Sequence, residues 1–162
     1  NTFISASEKT MHDRIENQYL NRSTPTATAR LIETFFENRL FASKYKKFLI
    51  RIMTETSTGQ DKLKSLLPPD CTVGHKTGSS DRTSTGVKIA DNDAGFVLTP
   101  DGKRYYIAVF VSDSQEDDPT NASIIARISA IVYDFMIRPT DPNRPTLCRP
   151  ESVSADDAAG SP

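Results

Sequence analysis

The sequence predicts an α+β fold, an antiparallel β meander covered on one face by a C-terminal helix. Three observations carry this reading. Helix-period apolar patterns with start and stop signals fill the chain up to Pro68-Pro69. Between Cys71 and Val111 the pattern shortens to that of strands, and from Asn121 it returns to helical spacing. Strands grouped apart from helices are the mark of α+β rather than of alternating α/β architecture.

Each element has its own signal. Thr24-Pro25 opens the first helix, with a hydroxyl at the cap and proline in the first turn. Leu31, Ile32, Phe35, Phe36 and Leu40 follow at helical spacing. Ser43 is expected to cap a second helix whose apolar positions are Tyr45, Phe48, Leu49, Ile52 and Met53. Thr58-Gly59 should end it, before a helical turn over 61–67. A strand is expected over 71–77, and residues 79–92 read as too polar for a core and therefore as a loop. Phe96-Val97-Leu98 and residues 105–111 read as strands joined by Pro100-Asp101-Gly102, a strong hairpin signal. The last helix should bury Ile124, Ile125, Ile128, Ile131, Val132 and Phe135 on one side. Such a meander has two open edges and an incomplete helical layer, so further structure is expected in front of it.

A chain of 162 residues and 17.9 kDa suits one domain, or one domain and a tail. We expect a domain over 1–137 and a Pro-rich disordered tail over 138–162. That segment holds five of the ten prolines and few large apolar residues beyond Leu147 and Val153, so it is a disordered extension or foreign sequence. The hydrophobic share of 36% makes a thin core. A net charge of −1 argues against a duplex-binding protein, which needs a basic excess, and nothing points to nucleic acid. No apolar run approaches the ~18–20 residues of a membrane span, and none is expected. The start at Asn1 has no signal-peptide features and reads as a processed or truncated end, which leaves secretion open. Cys71 and Cys148 read as a buried thiol and a tail thiol. Two histidines and two distant cysteines make no zinc pattern, and neither metal nor cofactor is expected.

Lys76-Thr77-Gly78-Ser79 is the motif with the most chemistry. It closes a predicted strand, and its lysine beside two hydroxyls makes a site for a carboxylate or an activated oxygen. The bland reading is an edge-strand lysine that discourages aggregation. With Val73-Gly74-His75 before it, Thr56-Ser57-Thr58-Gly59, Leu63-Lys64-Ser65-Leu66-Leu67-Pro68, Asn92-Asp93-Ala94-Gly95, Leu98-Thr99-Pro100-Asp101-Gly102, Ala108-Val109-Phe110-Val111 and Ile124-Ile125-Ala126, the chain resembles the class A serine β-lactamases in their extended, Bacteroidota-type branch. The resemblance runs from the first residues to about Ile137 and implies the β-lactamase/transpeptidase-like α/β sandwich.

It also implies roles. Ser7-Glu8-Lys9-Thr10-Met11-His12 matches the omega-shaped loop that carries the deacylation base, with Glu8 in the base position at the family's spacing from Lys76. A glutamate there takes a proton from water attacking an acyl-enzyme. His12 stands where most members place the asparagine that helps hold this water, and its protonation would make the site pH-sensitive. Asn21 is assigned a structural role at the loop's neck. Lys76, Thr77 and Gly78 resemble the strand that binds the substrate carboxylate, and the Ser79 N–H resembles half of the oxyanion hole. Lys62 occupies one station of the family's second cation, with Arg82 and Lys88 as weaker candidates; a solvated helix lysine is the bland alternative for Lys62.

Class A chemistry also needs a Ser-x-x-Lys nucleophile and a Ser-Asp-Asn motif. Ser43-Lys44-Tyr45-Lys46 fits the first by letters but lies downstream of the Glu8 loop, whereas the family's nucleophile lies upstream. Tyr19-Leu20-Asn21 likewise falls in the wrong order. No Ser-Asp-Asn occurs. The implied activity is β-lactam hydrolysis through a serine acyl-enzyme, in a periplasmic or secreted protein that is monomeric when complete, with this chain inactive alone. The alternatives are a penicillin-binding transpeptidase or carboxypeptidase, which would lack the Glu8-type loop, and a non-enzymatic truncated relative.

Overall fold

A computed structural model describes residues 1–37 and 42–137. Leu40, Cys148 and the proposed tail over 138–162 lie outside the described residues. The order of elements is α1 (Glu8–Asp13), a 3₁₀ turn (Ile15–Tyr19), α2 (Pro25–Glu37), α3 (Ser43–Thr54), β1 (Thr72–Ser79), β2 (Lys88–Leu98), β3 (Arg104–Ser114) and α4 (Asp118–Ile137). The strands form one antiparallel sheet in the order β1-β2-β3, the expected α+β meander.

Local chemistry sets the boundaries. Thr24 Oγ1 accepts from the Ala27 N–H at 3.1 Å, so α2 starts where Thr24-Pro25 predicts. Ser43 is instead the first residue of α3; Ala42 stands at the cap and offers no side-chain bond. The helix ends at Thr54, earlier than expected. Gly59 then takes φ +64°, and residues 59–67 run as successive turns. The hairpin after β2 closes through the Gly102 N–H to Thr99 O at 2.9 Å, with Gly102 at φ +82°.

The largest departure is β2. Residues 88–92, expected in a loop, form the first part of an eleven-residue strand. Their polarity does not keep them out, because each buried charge has a partner. Lys88 reaches Asp118 at 3.6 Å, and Asp91 pairs with Lys62 at 2.5 Å. Asp93, also fully buried, receives the His75 ring at 2.8 Å.

Register sorts the side chains into two faces, since neighbours in sequence alternate. Val73, His75 and Thr77 share a face with Asp91, Asp93, Val97, Tyr105, Ile107 and Val109. There Val73, Val97, Tyr105, Ile107 and Val109 join Leu63, Leu67 and Ile125 of α4 in the core cluster. Lys76 lies on the other face with Phe96, Tyr106 and Phe110. Phe36 of α2 covers it, its ring centroid 4.4 Å from Phe96 and 5.7 Å from Tyr106.

Helix α4 buries only part of the side that spacing predicts, namely Ile125 and, partly, Val132. Asn121, Ala122, Ile125, Ala126 and Ser129 lie inward, and Ser129 Oγ donates to Leu63 O at 2.8 Å. Small residues allow that close approach, so Ile124, Ile128, Ile131 and Phe135 face outward. Helix α4 is twenty residues long with an eighteen-residue stretch of mean hydropathy 1.2, so it is also long and apolar enough to cross a membrane, which the lack of a long apolar run conceals. Its inward stripe of mostly small residues, seated on Leu63, fits a helix packed on a sheet. Tyr45, Phe48 and Ile52 make a second outward apolar face on α3.

Candidate active site

The segment carrying Glu8 is a closed loop. Phe3 and Arg22 exchange backbone bonds of 2.8 and 3.0 Å, which join its two ends. Just inside, Asn21 Oδ1 accepts from the Ser5 and Ala6 N–H groups at 2.9 and 3.0 Å, and Nδ2 donates to Ala6 O at 2.9 Å. Asn21 thus has the structural role assigned to it, as the clasp of the neck. Compact loops with adjoining ends are held by such internal contacts. Within the loop Ser7 caps α1 by accepting from Thr10 N–H at 3.2 Å, which puts Glu8 in the first turn. Negative charge is favoured there by the helix dipole.

The loop lies over the sheet face that bears Lys76. Asn21, Arg22 and Ser23 line a cleft of about 280 Å³ together with Asn92 and Phe110 of that face. It is also tied to the end of β1. His12 Nδ1 lies 3.2 Å from Asp81 Oδ2, and Gln18 Nε2 donates to the same oxygen at 2.8 Å. The Asp81 N–H returns a bond to Gln18 Oε1 at 3.1 Å. Glu8 Oε1 is 3.6 Å from His12 Nε2, so the carboxylate, the imidazole and Asp81 form one chain of contacts ending two residues beyond Ser79.

The strand itself is an exposed edge with a buried foundation. Lys76, Gly78 and Ser79 are exposed, and the Lys76 ammonium donates to Thr77 O. Thr77 Oγ1 lies 3.2 Å from Thr58 Oγ1, across the turn at Gly59. Beneath them His75, 1% exposed, bonds Asp93, which also accepts the Leu63 N–H at 3.2 Å. The register places Asp93 opposite Thr77 and Asp91 opposite Ser79. Asp93 thus ties β1, through the His75 ring, to the backbone at Leu63, and Asp91 is paired with Lys62; a buried carboxylate is tolerable only when so partnered.

Gly59 allows this assembly. A Cβ there would sit 2.3 Å from Thr77 Cγ2 and 3.4 Å from His75 Cε1, in a left-handed backbone that disfavours side chains.

The second-cation candidates require correction. Lys62 is neither a solvated lysine nor a free cation; it is 8% exposed and its ammonium is paired with Asp91 at 2.5 Å. Arg82 spends its guanidinium on Gly86 O, Glu116 O and Asp118. That hydrogen bond from Arg82 holds the Asp118 carboxyl below its usual range. Lys88 is buried beside the same carboxylate. His75, a strand residue beside the site, is bound to a carboxylate as described. Cys71 is half-buried, and burial pushes its thiol upward.

Sequence reasoning did not single out Asp81, Gln18 or the Asp91 and Asp93 anchors. Alternation in β2 would have placed Asp91 and Asp93 on one face with Gly95 and Val97, had the polar stretch been read as strand.

Fold and site together define a mixed sandwich in which a glutamate-bearing loop is docked to a Lys-Thr-Gly strand. A model of the beta-lactamase enzyme family matches residues 2–136, and the chain belongs to that family. A β-lactamase of Bacteroides uniformis is 55% identical over 134 residues, 82% of this chain and 45% of the relative. VEB-1 of Pseudomonas aeruginosa is 39% identical over 136 residues, 83% of this chain and 45% of the relative. Among solved structures, a class A β-lactamase from Bacteroides cellulosilyticus superposes with a TM-score of 0.80 at 57% identity, over 84% of this chain and 49% of the neighbour. The chain spans about half the length of the relatives it matches.

Proposed function

We propose that this chain supplies the deacylation and substrate-binding half of a serine β-lactamase. The carrying observation is the docking of the Glu8 loop onto the end of the Lys76–Ser79 strand through His12 and Asp81, over the face that bears Lys76. In this reading a serine outside the chain opens the β-lactam ring, with the Ser79 N–H stabilising the tetrahedral oxyanion. Lys76 and Thr77 hold the substrate carboxylate, and Gly78 lets the substrate approach the strand edge. Glu8 then takes a proton from water as the water oxygen attacks the acyl carbon, and the serine oxygen leaves. Lys62, internally paired, has no part in binding. The complete protein acts as a monomer in the periplasm or outside the cell.

The test is a chimera in which this chain replaces the matching portion of the Bacteroides uniformis relative. It should hydrolyse a chromogenic cephalosporin, and Glu8→Gln should accumulate an acyl-enzyme visible by mass spectrometry. This chain alone should turn over nothing. A folded chimera without activity, or one whose turnover ignores Glu8→Gln, overturns the proposal; the second outcome favours a transpeptidase-type enzyme.

A further inference from the structure

The contact between His12 and Asp81 has a consequence for the ring as well as for docking. A carboxylate accepts and cannot donate, so a hydrogen bond across the 3.2 Å between Asp81 Oδ2 and His12 Nδ1 requires the proton on Nδ1. In the neutral imidazole, Nε2 is then the nitrogen with the free lone pair. That atom lies 3.6 Å from Glu8 Oε1. Two acceptors so close are served together by one water, which can donate one proton to each. With the opposite tautomer, Nε2–H would donate to Glu8 and compete with the water for the carboxylate.

We propose that Asp81 is a positioning residue that fixes His12 as the Nδ1–H tautomer, so that Nε2 accepts from the same water that Glu8 deprotonates. The role assigned to the water rests on reading Glu8 as the deacylation base; the tautomer does not. Among the described residues the charged groups facing the ring are Glu8 from its own helix and Asp81 from the β1–β2 connection. Lys9 is turned to Asp13 at 3.2 Å, and Arg14 to Glu16 at 3.6 Å. Gln18, the other partner of Asp81, is neutral, donates to its carboxylate and accepts from its backbone N–H. It therefore separates two explanations: the carboxylate sets the tautomer, or docking of the loop does.

The experiment uses this chain with ¹⁵N-labelled histidine. It has only two histidines, His12 and His75, so long-range proton–nitrogen spectra are assigned by one His12→Asn sample. Above the pH at which the ring is charged, wild-type His12 should show the Nδ1–H pattern. Asp81→Ala should lose it in favour of Nε2–H, the form a free imidazole prefers in water, while Gln18→Ala should keep Nδ1–H. An Nε2–H pattern in the wild type overturns the proposal, and that spectrum decides alone if Asp81→Ala does not fold. An unchanged Asp81→Ala spectrum, or the same switch in Gln18→Ala, overturns it too. Because the spectra need no turnover, a chimera indifferent to Glu8→Gln would sink the base assignment and leave the tautomer result standing.

Discussion

The buried pair of Lys62 and Asp91 can be tested by removing one partner and then both. The Lys62 side chain is 11% exposed and that of Asp91 3%, with 2.5 Å between their charged atoms. Asp91→Ala leaves an ammonium in the interior without its carboxylate, which typically costs about 3–5 kcal/mol. Against a total stability of roughly 5–15 kcal/mol, such a loss is severe. With a urea slope of about 2 kcal/mol/M, the unfolding midpoint should fall by roughly 1.5–2.5 M. The double variant Lys62→Met with Asp91→Leu replaces two desolvated charges by apolar groups and should unfold within about 1 kcal/mol of the wild type, or later. Urea titrations followed by circular dichroism give all three midpoints. A loss below about 1 kcal/mol in Asp91→Ala would mean that the Lys62 ammonium reaches water unaided, and the argument from burial would be wrong.

Gly59→Ala should destabilise by about 2–4 kcal/mol, combining left-handed strain with overpacking against Thr77, as read from the same urea titration. Phe36→Ala should cost about 3–5 kcal/mol by uncovering Phe96 and Tyr106, seen as a lowered thermal midpoint. Burial, and then its bond to Glu37 at 2.6 Å, push the Tyr106 hydroxyl up to about 12. A folded value raised above the unfolded 10.0 stabilises the protein below pH 10 and loses that contribution as pH rises towards about 12. Tyr106→Phe should therefore remove the highest step but one in an alkaline absorbance titration, Tyr105 being raised further still, and flatten the fall of the melting temperature over that window.

Much of the fold was legible because local rules and tertiary packing agreed. Thr24-Pro25 starts α2, Gly102 turns the hairpin, and the order of elements follows from the change of period. The unexpected start of β2 has one cause: polar residues with partners need not be exposed. Lys88 and Asp91 read as loop, yet their partners lie on other elements, and local pattern carries no sign of a partner 29 residues away such as Lys62. Helix α4 departs in the opposite direction, because apart from Ile125 its inward residues are small or polar while several isoleucines face out. In the site, the Lys-Thr-Gly strand and Glu8 were visible through family resemblance. Asp81 was not, for its link to His12 spans 69 residues and joins two exposed side chains.

The paired backbone of Phe3 and Arg22, clasped by Asn21, turns the chain between them into a ring with a fixed gate. Ring closure depends weakly on length, each doubling costing only about 0.6 kcal/mol. Lengthening or recoding the circumference is thus a gentle change, whereas a change at the gate frees both ends at once. Diversity among kindred sequences should accordingly collect around the hoop and thin out at its fastening.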